Sequence, residues 1–165
     1  MGREKSECPH LRSRSHPHQR YMQPANHLPP RGPRILVVDD NASMRRSLRY
    51  VLESQDRWEV VDEASDGVEA VAKFGKEKEN VDAVVIDFQM PRMNGLEAAR
   101  RIEELSPGMP ILMMTLHNSR ELAEEARKAG IRGVCGKNDI GRVVEGLNAI
   151  LENRATSGTK PPLRS

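Results

Sequence analysis

Short apolar runs separated by longer stretches of helical spacing set the pattern of this chain. Residues 35–38, 83–86, 111–114 and 134–135 form four such runs, and 58–61 is a weaker fifth. They are too short for helices, and apolarity at every position marks strands buried on both faces. Between them, Met44, Leu48, Val51 and Leu52 sit at i, i+4, i+7, i+8. Val68, Val71, Ala72 and Gly75 follow a second such stripe. Ile140, Val143, Val144, Leu147, Ile150 and Leu151 hold one for three turns. Asp66 with Glu69, and Asn94 with Glu97, place a capping side chain three residues before a carboxylate. Gly130 is a helix stop.

Five strands alternating with five helices imply an α/β fold, a single doubly wound parallel sheet with helices on both faces. Right-handed crossovers make every strand run the same way, so all strand C-termini emerge on one edge. That edge is where open sheets of this kind bind ligands.

Composition changes the picture at the ends of the chain. Residues 1–33, rich in Pro, His, Arg and Ser, carry six Lys/Arg against Glu4 and Glu7, a balance of +4. The remainder carries −2, so the basic character belongs to the first segment. Residues 1–33 and 153–165 lack helical or strand period and are expected to be disordered. No apolar run reaches the length of a membrane span, and no secretory signal opens the chain. A cytoplasmic protein is expected. Cys8 and Cys135 lie far apart in unlike contexts, which favours free thiols, with Cys135 a buried strand residue. The set Cys8, His10, His16, His18 and His27 lies in the polar first segment, where a defined metal site is disfavoured.

The candidate chemistry lies at the strand ends. The first strand ends in Asp39-Asp40 and the third in Asp87. The fourth ends in Thr115, and Lys137 closely follows the fifth. At about 5 Å and an effective dielectric of about 20, two carboxylates repel by roughly 3 kcal/mol. A hard divalent cation with oxygen ligands relieves this, and magnesium suits a few carboxylates plus water and phosphate oxygens. A carboxylate can act as a covalent nucleophile toward phosphorus. Asp87 is the best acceptor, because it comes from the middle of the set and leads directly into the loop 88–95. Pro91 and Gly95 punctuate that loop and direct the Gln89 carbonyl toward the metal. Lys137 supplies a point charge for the phosphoryl oxygens, and the Thr115 hydroxyl a hydrogen bond.

Four motifs then carry a resemblance: Ile35-Leu36-Val37-Val38-Asp39-Asp40; Val84-Val85-Ile86-Asp87 through Pro91 and Asn94-Gly95; Met113-Met114-Thr115; and Gly133-Val134-Cys135-Gly136-Lys137. Over about residues 34–152 the chain resembles the receiver domain of two-component response regulators. The resemblance implies the flavodoxin-like strand order 2-1-3-4-5. It implies Asp87 as phospho-acceptor, with Asp40 and Asp87 as direct magnesium ligands, Asp39 acting through water and Gln89 through its carbonyl. Thr115 and Lys137 read the phosphoryl group. It implies a sensor histidine kinase or histidine phosphotransfer protein as donor and an unidentified downstream protein as partner.

Departures from the family pattern are Val134, where an aromatic switch residue is usual, and Leu116, where a small residue is common. Gln89 and His117 stand where the family sets phosphate lifetime, so an unusual lifetime is expected. Arg45, Arg46 and Arg49 share a helix face that meets the donor in the family. After Leu151 no second patterned segment follows, so a stand-alone receiver without an attached DNA-binding domain is expected. The alternative is a phosphorylation-independent interaction module. A hydrolase is disfavoured, because Gln89 stands where related phosphatases place a second catalytic Asp.

Overall fold

The computed structural model describes residues 32–156. Expectations for residues 1–31 and 157–165, including Cys8 and the His set, lie outside the described residues. The elements run β1 (Arg34–Val38), α1 (Ala42–Glu53), β2 (Glu59–Ala64), α2 (Gly67–Glu77) and β3 (Ala83–Asp87). They continue α3 (Gly95–Leu105), β4 (Ile111–Thr115), α4 (Arg120–Lys128), β5 (Gly133–Gly136) and α5 (Ile140–Thr156). A single 3-10 turn, Lys78–Asn80, joins α2 to β3. The five strands form one parallel sheet in the order β2-β1-β3-β4-β5.

Alternation along each strand divides the core into two layers. Leu36, Val38, Val84, Ile86, Ile111 and Met113 face one side, against Ala70 and Phe74 of α2, Ala98 and Ile102 of α3, and Ala126 of α4. Ile35, Val37, Val85, Leu112 and Met114 face the other, against Leu48 and Leu52 of α1 and Val143, Leu147 and Ile150 of α5. Because both faces are covered, every position of β3 and β4 is buried. This is why those strands read as unbroken apolar runs.

The caps form as expected. Asp66 accepts from the Glu69 amide and Asn94 from the Glu97 amide, at 3.0 and 2.9 Å. Gly130, at φ +85°, ends the α4 segment in the left-handed conformation that glycine tolerates. Asn41 adds a cap to α1, accepting from the Ser43 and Met44 amides.

Three expectations need correction. The α2 stripe holds only at Val71, which packs against the core: Val68, Ala72 and Gly75 are exposed, while Gly67, Ala70 and Phe74 face the core. Phe74, the largest wholly buried side chain, decides which face turns inward. The weak fifth run is also longer than read, extending to Ala64. Its register with β1 skips Val61 between the pairs Ile35–Val60 and Leu36–Asp62, turning that valine outward. Finally, residues 153–156, expected to be disordered, continue α5. No Gly or Pro interrupts them, and the Arg154 guanidinium donates to the Asp82 carbonyl at 3.1 Å.

Candidate functional site

The C-terminal edge of the sheet collects the predicted groups. Asp39 follows β1 directly, and its amide donates to the Ala64 carbonyl of β2. Asp39 Oδ1 accepts the Asn41 amide at 2.8 Å, which turns the chain into α1. The Arg45 guanidinium donates to the Asp39 carbonyl at 2.8 Å. Lys137 is carried to the same edge because its amide continues the β4–β5 pairing onto the Thr115 carbonyl, at 2.9 Å.

Lys137 Nζ lies 2.7 Å from Asp87 Oδ2 and 2.9 Å from Asp39 Oδ2. Carboxylate oxygens of Asp39, Asp40 and Asp87 all lie within 4.8 Å of one another. Asp39 and Asp87 are buried and Asp40 is exposed, so the cluster opens to solvent on the Asp40 side. Burial raises the Asp87 pKa above the ordinary carboxylate value, and the Asp39 charge adds to this. Lys137 and a backbone hydrogen bond from Gln89 oppose the rise without cancelling it. The Lys137 pKa is also raised: burial works against its charge, but Asp87 and Asp39 together outweigh burial.

One ammonium therefore faces three carboxylates. Asp39 Oδ2 is buried and takes no hydrogen bond of good geometry, meeting Lys137 only as an ion pair. An all-oxygen, net-negative set with a spare buried acceptor, open on one side, fits a hard divalent cation such as magnesium.

The other predicted residues lie at the rim. Thr115 is buried beside Asp87, one residue beyond Met114, the register partner of Asp87. Its hydroxyl is spent within its own turn, accepting the His117 amide and donating to the His117 carbonyl, both at 3.1 Å. Donating to a ligand at the carboxylates requires the hydroxyl to give up the His117 carbonyl, while its oxygen can still accept from the His117 amide. Gln89 has an exposed side chain. Leu116 is 63% exposed. Val134 is half-buried and packs on the core layer that holds Met113.

On the basic face of α1, two arginines are engaged within the domain. Arg45 and Arg49 both pair with Glu63 of β2, at 3.2 and 2.7 Å, and Arg49 also bonds Glu53 and the Val60 carbonyl. Glu63 is held below the usual carboxylate range by the two arginines, against the opposing effect of burial. Two of the three arginines therefore tie α1 to β2. Arg46 is exposed and bonds Ser43. Among the described residues, a cavity of about 440 Å³ lies at the other end of the sheet, lined by Arg34, Asp62, Lys73 and Glu77. Its cations are already paired, Arg34 with Asp82 and Lys73 with Asp62.

Gly95 holds the loop after Asp87 against the strand. Its amide donates to the Phe88 carbonyl at 2.9 Å, and a Cβ at this position would lie 2.3 Å from the Asp87 carbonyl oxygen. That neighbour is backbone and cannot swing aside. Gly95→Ala is expected to cost about 2 kcal/mol of stability through overpacking. Urea denaturation checks this, and an unchanged midpoint would show that the loop yields freely.

The doubly wound fold with a carboxylate cluster at this edge is that of a receiver type of domain, and comparison with known proteins agrees. The family model for the response regulator receiver domain matches residues 35–148. The chain is 37% identical over 120 residues to the chemotaxis protein CheY of Thermotoga maritima, covering 72% of this chain and 98% of that one. It is 40% identical over 101 residues to a protein-glutamate methylesterase/protein-glutamine glutaminase of Pyrococcus abyssi, covering 61% of this chain but only 25% of the relative. Among solved structures, a two-component response regulator of the LuxR family from Aurantimonas sp. aligns with a TM-score of 0.70 at 32% identity, covering 74% of this chain and 86% of that one. This chain belongs to the response regulator receiver domain family. No helix among the described residues is long and apolar enough to cross a membrane.

Proposed function

We propose that this chain accepts a phosphoryl group on Asp87 in a magnesium-dependent reaction and signals through the change that follows. The observation that carries the reading is the placement of Asp87. Its carboxylate is buried, bonded to Lys137 Nζ at 2.7 Å, and within ligand-sharing distance of Asp39 and Asp40. The donor is a phosphohistidine on a sensor histidine kinase or histidine phosphotransfer protein. An Asp87 oxygen forms a new P–O bond as the donor P–N bond breaks. The ring leaves as neutral imidazole, its second nitrogen having carried the proton.

Bound magnesium supplies charge neutralisation to the transferring phosphoryl oxygens. Asp40 and Asp87 would hold it directly, with Asp39 through water and Gln89 through its carbonyl. Lys137 orients Asp87 before transfer and then takes a phosphoryl oxygen. The Thr115 hydroxyl leaves the His117 carbonyl to donate to another, which pulls on the segment between β4 and α4. That pull biases the surface offered to a downstream protein.

The test is uptake of label from acetyl phosphate, or from a phosphohistidine donor, with and without magnesium. Uptake is expected to fall at least about 100-fold when EDTA removes the metal, the loss of a principal charge stabiliser. Uptake that ignores EDTA would refute the mechanism. Equal partner affinity in both states would favour the phosphorylation-independent alternative.

A further inference from the structure

The loop between Asp87 and α3 contains a backbone conformation that side chains rarely adopt. The Met93 amide donates to the Pro91 carbonyl at 2.7 Å, closing a γ-turn centred on Arg92, whose φ is +64°. A γ-turn with positive φ at its centre is the rarer, strained form. Such a residue persists only where its surroundings over-determine it.

Those surroundings come from α2. The Arg92 guanidinium pairs with Asp66. The Arg92 side chain is 62% exposed, whereas that of Asp66 is 5% exposed. The partner is thus the fixed point and the arginine the part held. Asp66 also caps α2. The next residue, Gly67, donates its amide to the Met93 carbonyl at 3.3 Å, and a Cβ there would meet that oxygen at 2.6 Å. Met93 itself is buried in the core layer shared by α2 and α3.

The loop is closed at its base as well, by the Phe88 amide on the Met114 carbonyl and the Gly95 amide on the Phe88 carbonyl. With both ends pinned, the conformation at residue 92 sets how the peptides between Gln89 and Asn94 are turned. The Gln89 amide lies close enough to the Asp87 carboxylate to favour its charged form.

We propose that Arg92 is a positioning residue: its ion pair with Asp66 holds the strained γ-turn, and the turn sets the Gln89 peptide against Asp87 and the cation. This rests on the reading of Asp87 as a magnesium-dependent acceptor. It makes the start of α2, remote from the carboxylates in sequence, part of the apparatus that tunes them.

Glycine separates the strain from the ion pair. Arg92→Ala removes the pair and leaves a residue that prefers negative φ, so the turn relaxes. Arg92→Gly removes the same pair but adopts positive φ freely. Magnesium chloride is titrated by calorimetry into wild type and both variants, with urea midpoints measured alongside. Arg92→Ala is expected to weaken magnesium about tenfold, the low end of effects from outer groups that orient ligands. Arg92→Gly should stay within about twofold of wild type, because the turn survives in glycine.

Wild-type affinity in Arg92→Ala would overturn the proposal, and so would equal weakening in both variants. A purely structural role would lower the urea midpoints and leave magnesium affinity alone. If Arg92→Ala fails to fold, Asp66→Asn replaces it, since asparagine still caps α2 but carries no charge. Unaltered magnesium affinity in Asp66→Asn would then overturn the proposal. Absence of magnesium binding by the wild type would instead refute the reading of the site.

Discussion

Lys137→Met is expected to destabilise the domain by about 3 kcal/mol at pH 7 in metal-free buffer, the usual cost of stripping one partner from a buried ion cluster. Lys137 is 12% exposed at its side chain and is the cation bridging Asp39 and Asp87, which are 0% and 5% exposed at theirs. Methionine keeps the length of the chain and removes the charge, leaving two buried carboxylates facing each other. The Asp87 pKa, already raised by burial and by Asp39, rises further.

The sign of the pH dependence follows. In wild type the Lys137 pKa is raised, so its stabilising effect is complete below its ordinary value and is lost only as pH climbs through the raised one. In the variant, a carboxyl whose folded pKa lies above its unfolded one penalises folding wherever it is ionised. That penalty falls as pH drops through the raised pKa toward the ordinary carboxylate range. The gap between wild type and Lys137→Met is therefore widest near neutrality and narrows on acidification. Added magnesium should narrow it too, because the cation replaces the missing positive charge. Urea midpoints at pH 7 and pH 5, with and without magnesium, measure all of this. A midpoint unchanged at pH 7 without metal would mean that the three groups are not electrostatically linked.

Asp87→Asn separates chemistry from stability in the opposite sense. Phosphoryl uptake from acetyl phosphate should be lost, with a drop of at least about 100-fold, because a neutral amide oxygen is a poor nucleophile beside a carboxylate. Stability at pH 7 should hold or rise. The folded state disfavours the ionised form of Asp87, first through burial and then through the Asp39 charge. An isosteric amide removes that penalty while its oxygen still accepts from Lys137, which keeps Asp39 as its counter-charge. Active sites commonly trade stability in this way. Intact mass after acetyl phosphate treatment and a thermal melt of the same sample decide the matter. Full uptake by the variant would move the acceptor elsewhere, and a large loss of stability would show that the Asp87 charge supports the fold.

Much of this was legible in the amino-acid order because the signals are short-ranged. A strand covered on both faces must be apolar at successive positions, and β1, β3 and β4 were read from that alone. A helix start needs an acceptor within three residues, so Asp66 and Asn94 announced α2 and α3. The alternation of strands and helices brings strand C-termini to one edge, which is enough to gather Asp39, Asp40, Asp87 and Lys137.

What the chain order left open depends on partners far away along it. Which face of α2 turns inward was settled by the bulk of Phe74 in its layer, against a weaker stripe of small residues. The helix pattern places Arg45 and Arg49 on one face but does not show Glu63, fourteen residues beyond Arg49, which pairs with both. The Arg92–Asp66 pair spans 26 residues and joins two loops that no local pattern connects. Periodicity and caps report what a residue does to its own few neighbours. The partner of a charged or hydroxyl side chain is decided by packing, which brings distant segments together only once the sheet has formed.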